Sequence, residues 1–249
     1  MIKPRRVYNL KVQKEDKNKL LFKTFSPLKI RLPGIVDLRN SMPPIVDQED
    51  LGSCTACALA ALLGKAKSSK SPYSRLYIYY NQRIEENNIF IDSGATMLDS
   101  IKSIQNYGAC PESIWPYEVS KFSEKPTSQC YIEGSENKAL KVKNINENLN
   151  ELKTALYKGY PIAFGIQVYQ SFESHSVAIT GHVGMPKYGE LCLGGHAVTM
   201  VGYNDTKQCF IVRNSWGTSW GDKGYFYLPY KYVLAPGLSS DYWIITKMQ

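Results

Sequence analysis

The sequence predicts an α+β protein, with helices in the first half of the chain and antiparallel strands in the second. Two patterns carry that reading. From residue 45 to about 140, apolar side chains recur at helical spacing, as in Met97, Leu98, Ile101 and Ile104. From Pro161 onward they collect in short β-prone runs separated by turn residues. Length and composition agree: 249 residues with 43% apolar side chains suffice for one enzyme-sized unit of one or two subdomains. No run approaches the length of a membrane span, and no internal repeat or low-complexity segment is visible.

Residues 54–67 are strong helix formers, apolar nearly all round, and are expected to form a buried helix with Ser53 as its N-cap. Residues 76–86 carry several aromatics and should pack on it. The helix beginning near Met97 closes at Tyr107-Gly108, and Asp92-Ser93-Gly94-Ala95-Thr96 ahead of it reads as a loop ending in a cap at Thr96. Residues 120–140, with Pro126 and Gly134, read as a loop-rich connection. Leu149, Leu152 and Leu156 mark a short helix stopped by Gly159 and Pro161. Strands are then expected at 161–168, 197–203, 209–212, 224–228 and 242–246, with Asn204-Asp205 turning the second into the third.

The charge is uneven. Residues 1–31 hold ten Lys or Arg against two acids, so the whole net charge of +8 belongs to this leader and the remaining body is neutral. The body is therefore not a basic nucleic-acid binder. The leader has no apolar h-region, so no secretory signal is expected in the chain, and an intracellular or particle-packaged setting is favoured. A Lys-rich segment is most simply a solvated tail.

Three stretches carry chemistry. Gln48-Glu49-Asp50-Leu51-Gly52-Ser53-Cys54-Thr55-Ala56-Cys57 ends in two cysteines at a helix start, where the dipole and free N–H groups favour a thiolate. Taken alone this only slightly favours a reactive thiol over two small core residues. Gly194-Gly195-His196-Ala197-Val198 then sets a histidine at the head of a strand, and Arg213-Asn214-Ser215-Trp216-Gly217-Thr218-Ser219-Trp220-Gly221 follows another. Cysteine, histidine and asparagine in that order fit a nucleophile, its base and an orienting group. Together with Pro33-Gly34-Ile35-Val36-Asp37-Leu38-Arg39, which looks like a mature start, these runs resemble the papain family of cysteine proteases over residues 32 to about 230. The interval from Cys54 to His196 lies inside the roughly 130–150 residues expected there, and that to Asn214 slightly beyond.

The resemblance implies a two-lobed fold: a mainly helical lobe (32–140), a mainly β-barrel lobe (141–249), and an active site in the cleft between them. Residues 1–31 become a possible prosegment. Its lysines and arginines would meet acids of the body, and Leu20, Leu21, Phe22, Phe25 and Leu28 would supply apolar contact. Catalysis is expected from Cys54, His196 and Asn214, with an oxyanion hole formed by Gln48 and the backbone N–H of Cys54. Trp216 would shield the His–Asn bond, and Gly94 with Ala95 would pair with substrate backbone. Two registers compete for the nucleophile. Gly52-Ser53-Cys54-Thr55-Ala56-Cys57 superficially copies a family run whose second cysteine attacks, which selects Cys57. The oxyanion glutamine stands six residues before the nucleophile in the family, and only Cys54 has one there, Gln48; this favours Cys54 and puts Leu51 in the place of a disulfide cysteine. His175 and His182 match no motif. No cofactor or metal is expected, the partner is a peptide or protein substrate, no membrane is involved, and nucleic acid would be met only through residues 1–31. The other classes weighed are a catalytically silent module of this fold and a Cys-x-x-Cys thiol oxidoreductase, for which the βαβ context is missing.

Overall fold

The molecule, a computed structural model, is described over residues 6–12, 31–69 and 71–249. Leu20, Leu21, Phe22, Phe25 and Leu28 therefore lie outside the described residues. The helical half is built on α1 (Cys54–Ala66), which is buried without interruption from Cys54 to Gly64, as its all-round apolar sequence requires. Ser53 stands at its N-cap position, but its hydroxyl does not cap the helix; it pairs with the Tyr117 hydroxyl at 2.7 Å. Helix α2 (Arg75–Glu85) is capped by Ser74 Oγ, which accepts from Tyr77 N, and α3 (Met97–Asn106) by Thr96 Oγ1, which accepts from Asp99 N.

A fourth helix, α4 (Ser128–Ser135), occupies part of the stretch expected to be loop. Pro126 and Gly134 suggested a break, yet Pro126 precedes the helix and Gly134 is there for packing. A Cβ on Gly134 would stand 2.5 Å from Tyr107 O and 2.6 Å from the Tyr77 hydroxyl.

Among the described residues the second half supplies six strands of a seven-stranded antiparallel sheet, the seventh coming from near the start of the chain. Its strands are β1 (Ile35–Asp37), β2 (Ala139–Ile145), β3 (Ile162–Tyr169), β4 (Cys192–Asn204), β5 (Cys209–Arg213), β6 (Tyr225–Pro229) and β7 (Ser239–Met248). The order is β2-β7-β3-β4-β5-β6, with β1 pairing on β4. Strand β2 was not foreseen because its buried residues, Ala139, Val142 and Ile145, recur every third position. Register shifts beside Lys141 account for the step from Ala139 to Val142, while Ile145 points to the opposite face and joins the other core, so no period of two is visible. Helix α5 (Leu149–Tyr157) is capped by Asn148 Oδ1, which accepts from Asn150 N and Glu151 N. Short helices α6 (His175–Thr180) and α7 (Tyr230–Val233) complete the elements.

Two cores result. One lies within the sheet half, around Phe164, Phe210, Phe226, Leu156 and Tyr242. The other gathers α1, α2 and α3 and extends across the lobe boundary to Ala163, Ala197, Trp243 and Ile245 of the sheet. Helix α1 thus packs on α2 and also on β4 and β7. Each large side chain fully buried in these cores contributes roughly 1.5–3 kcal/mol. The outcome for function is that α1 delivers its first residue to Ala197, within β4. Among the described residues, no helix is long and apolar enough to cross a membrane.

Candidate active site

The turn before α1 is fixed from three sides. Gln48 N donates to Ser215 O at 2.8 Å, Ser53 N to Leu51 O at 2.8 Å, and Gly52 N to the Asp92 carboxylate at 3.0 Å. Asp92 also accepts from the Tyr79 hydroxyl on α2, so one carboxylate ties the turn to a helix and to the loop ahead of α3. Gln48 is fully buried; its Oε1 accepts from Ser215 Oγ at 2.6 Å and its Nε2 donates to Leu51 O at 3.0 Å. The amide carries two N–H bonds, and this network directs one of them to Leu51.

His196 sits within β4 opposite Ile166 of β3, and Asn214 directly follows β5. Their side chains meet at 2.9 Å, His196 Nε2 to Asn214 Oδ1. Asn214 Oδ1 also accepts from Ser215 N at 2.8 Å, which identifies that atom as the oxygen and makes Nε2 the protonated ring nitrogen. His196 Nδ1 is left buried without a hydrogen-bond partner, a bare lone pair. Trp216 stacks on the imidazole with centroids 5.1 Å apart, and all three side chains are buried.

Cys54 begins α1 and lies against the backbone of Ala197, the residue after His196. Cys57, one turn on, has Ser53 Oγ at 3.9 Å and the Arg75 charge as its polar surroundings. Burial pushes the Cys54 thiol up to about 12, against the backbone N–H groups of Ala197, Thr55 and Cys54, which favour the thiolate. Burial likewise pulls His196 down to about 4; Asn214 opposes this and Arg6 adds to it. The helix start alone therefore does not make a thiolate here: in this covered site burial outweighs the dipole, and both groups stay neutral.

What covers them is the chain's own residues 6–12. Leu10 N donates to Gly195 O at 3.1 Å and Lys11 N to Ala95 O at 3.2 Å. Asn9 Nδ2 donates to Asp92 O at 2.9 Å. Tyr8 lies edge-on to His196 and Trp216, with centroids 6.1 and 6.0 Å away, and its hydroxyl donates to Glu173. Arg6 pairs with Asp47 at 3.3 Å and stands over the Trp216 ring at 4.9 Å, while Lys11 pairs with Glu86. The approach is close enough to require glycine: a Cβ on Gly94, whose φ is +67°, would meet Asn9 O at 1.8 Å, and one on Gly195 would meet Leu10 O at 2.8 Å.

The strap meets Ala95, Gly94, His196 and Trp216 directly, with Cys54 beneath beside Ala197 and Gln48 held against Ser215. His182 is stacked on Tyr227 at 4.8 Å, and His175 opens α6. Sequence reasoning missed Asp47, Asp92, Tyr79, Glu86 and Glu173. Asp47 adjoins Gln48, a positional hint; the others belong to no motif.

The site thus holds a thiol at a helix start, packed against the backbone of the strand that carries a His–Asn pair. The model of the papain family of cysteine proteases matches residues 32–242. An uncharacterized peptidase C1-like protein of Acanthamoeba polyphaga mimivirus is 43% identical over 235 residues, covering 87% of this chain and 76% of that protein. Cysteine proteinase 3 of Entamoeba histolytica is 32% identical, over 79% of this chain and 62% of its own length. Among solved structures, xylellain, a cysteine protease from Xylella fastidiosa, superposes with a TM-score of 0.89 at 33% identity, covering 100% of both chains. The chain belongs to the papain family of cysteine proteases. It is accordingly a hydrolase whose substrates are peptides or proteins.

Proposed function

We propose that Cys54, His196 and Asn214 carry out peptide-bond hydrolysis through a thioester, and that residues 6–12 act as a prosegment holding the enzyme latent. The observation supporting this most directly is the His196–Asn214 bond at 2.9 Å, which leaves His196 Nδ1 free beside the strand residue that packs on Cys54. With the strap removed, water and substrate reach the pair, and a thiolate–imidazolium arrangement becomes favourable. Cys54 Sγ attacks the scissile carbonyl. Cys54 N–H and the second Nε2 hydrogen of Gln48 stabilise the oxyanion. His196 protonates the leaving amine and then activates water to release the acyl group. Asn214 holds the ring, and Trp216 keeps that bond dry. Gly94 and Ala95 would bind substrate backbone where Lys11 N now bonds Ala95 O.

The test is labelling with an E-64-type epoxide after strap displacement, followed by mapping of the modified cysteine. Cys54 is expected to carry the label, and Cys54→Ala to lower kcat by a factor on the order of 10⁶. Activity retained in Cys54→Ala but lost in Cys57→Ala would transfer the role to Cys57. A chain that takes no label and cleaves no peptide would be the silent module instead.

A further inference from the structure

We propose that Asp47, together with the face of Trp216, forms a subsite that selects an arginine or lysine side chain just after the scissile bond of the substrate. This rests on the peptidase reading above. The two ends of the covered strip differ. At one end the strap bonds the backbone of Gly195 and Ala95, an edge suited to holding the acyl portion of an extended peptide. At the other end, beyond His196, lie Trp216 and Asp47. His196 must deliver its proton to the departing amine, so the leaving segment runs toward that second end.

There the strap places Arg6, whose guanidinium is 3.3 Å from Asp47 Oδ1 and 4.9 Å from the Trp216 ring centroid. A carboxylate beside an indole face is a paired recognition element for a cation, one by charge and one by the ring quadrupole. The walls are preformed by the body of the protein. Asp47 bridges Trp216 along the backbone, and its Oδ1 accepts from Glu49 N at 2.9 Å. Its Oδ2 stands 3.0 Å from where a Cβ on Gly217 would be. The neighbouring cation, Arg75, does not neutralise the carboxylate: it donates to Asp47 O and is paired with Glu112. Asp47 keeps 41% of its side chain exposed even with Arg6 in place, so a substrate side chain reaches it once the strap departs. A subsite is defined by its walls, so Arg6 reports its chemistry whichever way the strap runs.

To test this, a site-specific protease sequence is placed within residues 13–30 of the full chain and cut after folding. Values of kcat/KM are then compared for internally quenched peptides sharing one acyl-side sequence and carrying Arg, Ala or Glu at the first and second positions after the scissile bond. Arg is expected to exceed Ala about three- to thirtyfold at one of these positions, Glu to fall below Ala, and the spread to narrow as salt rises. Asp47→Asn, which keeps the acceptor for Glu49 N, should remove the Arg advantage, and Asp47→Lys should reverse the order of Arg and Glu. Equal rates for the three peptides, or an Arg advantage that survives Asp47→Asn, overturns the subsite. The same peptides are also bound to the cut Cys54→Ala chain and followed by fluorescence anisotropy. An affinity order of Arg, Ala, Glu there supports the subsite even if the active chain cleaves nothing, an outcome that would sink only the catalytic reading. Equal affinities overturn the subsite whatever the turnover.

Discussion

His196 is kept neutral by its surroundings, and that has a measurable cost in acid. Its ordinary pKa of 6.5 is pulled down to about 4 by burial. Between these values an unfolded chain takes up a proton that the folded chain refuses. The stability present above pH 6.5 is therefore lost as pH falls through about 4. Urea unfolding at pH 7 and pH 4.5 should show this loss, and His196→Gln should show less of it. An unchanged loss in the variant would mean the imidazole is not the group responsible. Gln48 makes a different test. Gln48→Ala should lower kcat by roughly 10²–10³ with little change in KM, because an oxyanion donor acts on charge formed in the transition state. The variant also strands Ser215 Oγ, so its folded fraction must be measured alongside. At this scale the sequence was legible wherever a residue sits in a motif: Cys54, His196, Asn214 and Trp216 come with fixed neighbours. Asp92 and Glu173 were not, because a lone acid in a loop has the same local pattern whether it meets solvent or a buried donor.

Between elements, the Asp92 carboxylate is the connection that holds the turn before α1. It accepts from Gly52 N and from the Tyr79 hydroxyl, joining the start of α1, the face of α2 and the loop before α3. Asp92→Ala leaves Gly52 N and the Tyr79 hydroxyl without this acceptor, and should cost about 1–3 kcal/mol of stability. It should also lower kcat, since the turn that aims Cys54 is loosened. Asp92→Asn retains an acceptor oxygen and should recover part of both losses; chemical denaturation and steady-state kinetics on the two variants separate them. Equal stability of Asp92→Ala and the unmodified chain would show that the tie carries no load. The cap at Thr96 was readable from sequence because it coincides with the apolar spacing, the one expected at Ser53 is not made, and those at Ser74 and Asn148 were not foreseen. Helix α4 and strand β2 were not, since a packing glycine imitates a break and a bulge disrupts the alternation that marks a strand.

Across the whole molecule the distribution of charge gains a structural meaning. The leader carries the net +8 and the body is neutral overall, yet the strap meets the body at local acids: Arg6 at Asp47 and Lys11 at Glu86. These contacts are partly exposed, so latency should weaken as salt rises. Comparing kcat/KM of the intact chain with that of the chain cut within residues 13–30, at low and high salt, tests this. Equal activity of both forms at low salt would reduce the leader to a tail. The two-lobed architecture was legible from the order of helix and strand patterns and the three motifs. That residues 6–12 lie over the site was expected from the family resemblance and not from composition, because a Lys-rich stretch reads the same whether solvated or docked. Residues 6–12 hold on through two backbone hydrogen bonds, side-chain hydrogen bonds from Tyr8 and Asn9, the edge of the Tyr8 ring, and ion pairs near either end at Arg6 and Lys11, and free in solution so short a strap would be a weak ligand. Covalent attachment through residues 13–30 changes the arithmetic, since a tethered ligand faces its site at an effective concentration on the order of millimolar. Closure is then unimolecular and independent of dilution. A single cut makes it bimolecular, so the severed strap falls away at the nanomolar concentrations of an assay and rebinds only when protein is concentrated. Latency lost on dilution of the cut chain and regained on concentration is the signature of such a switch.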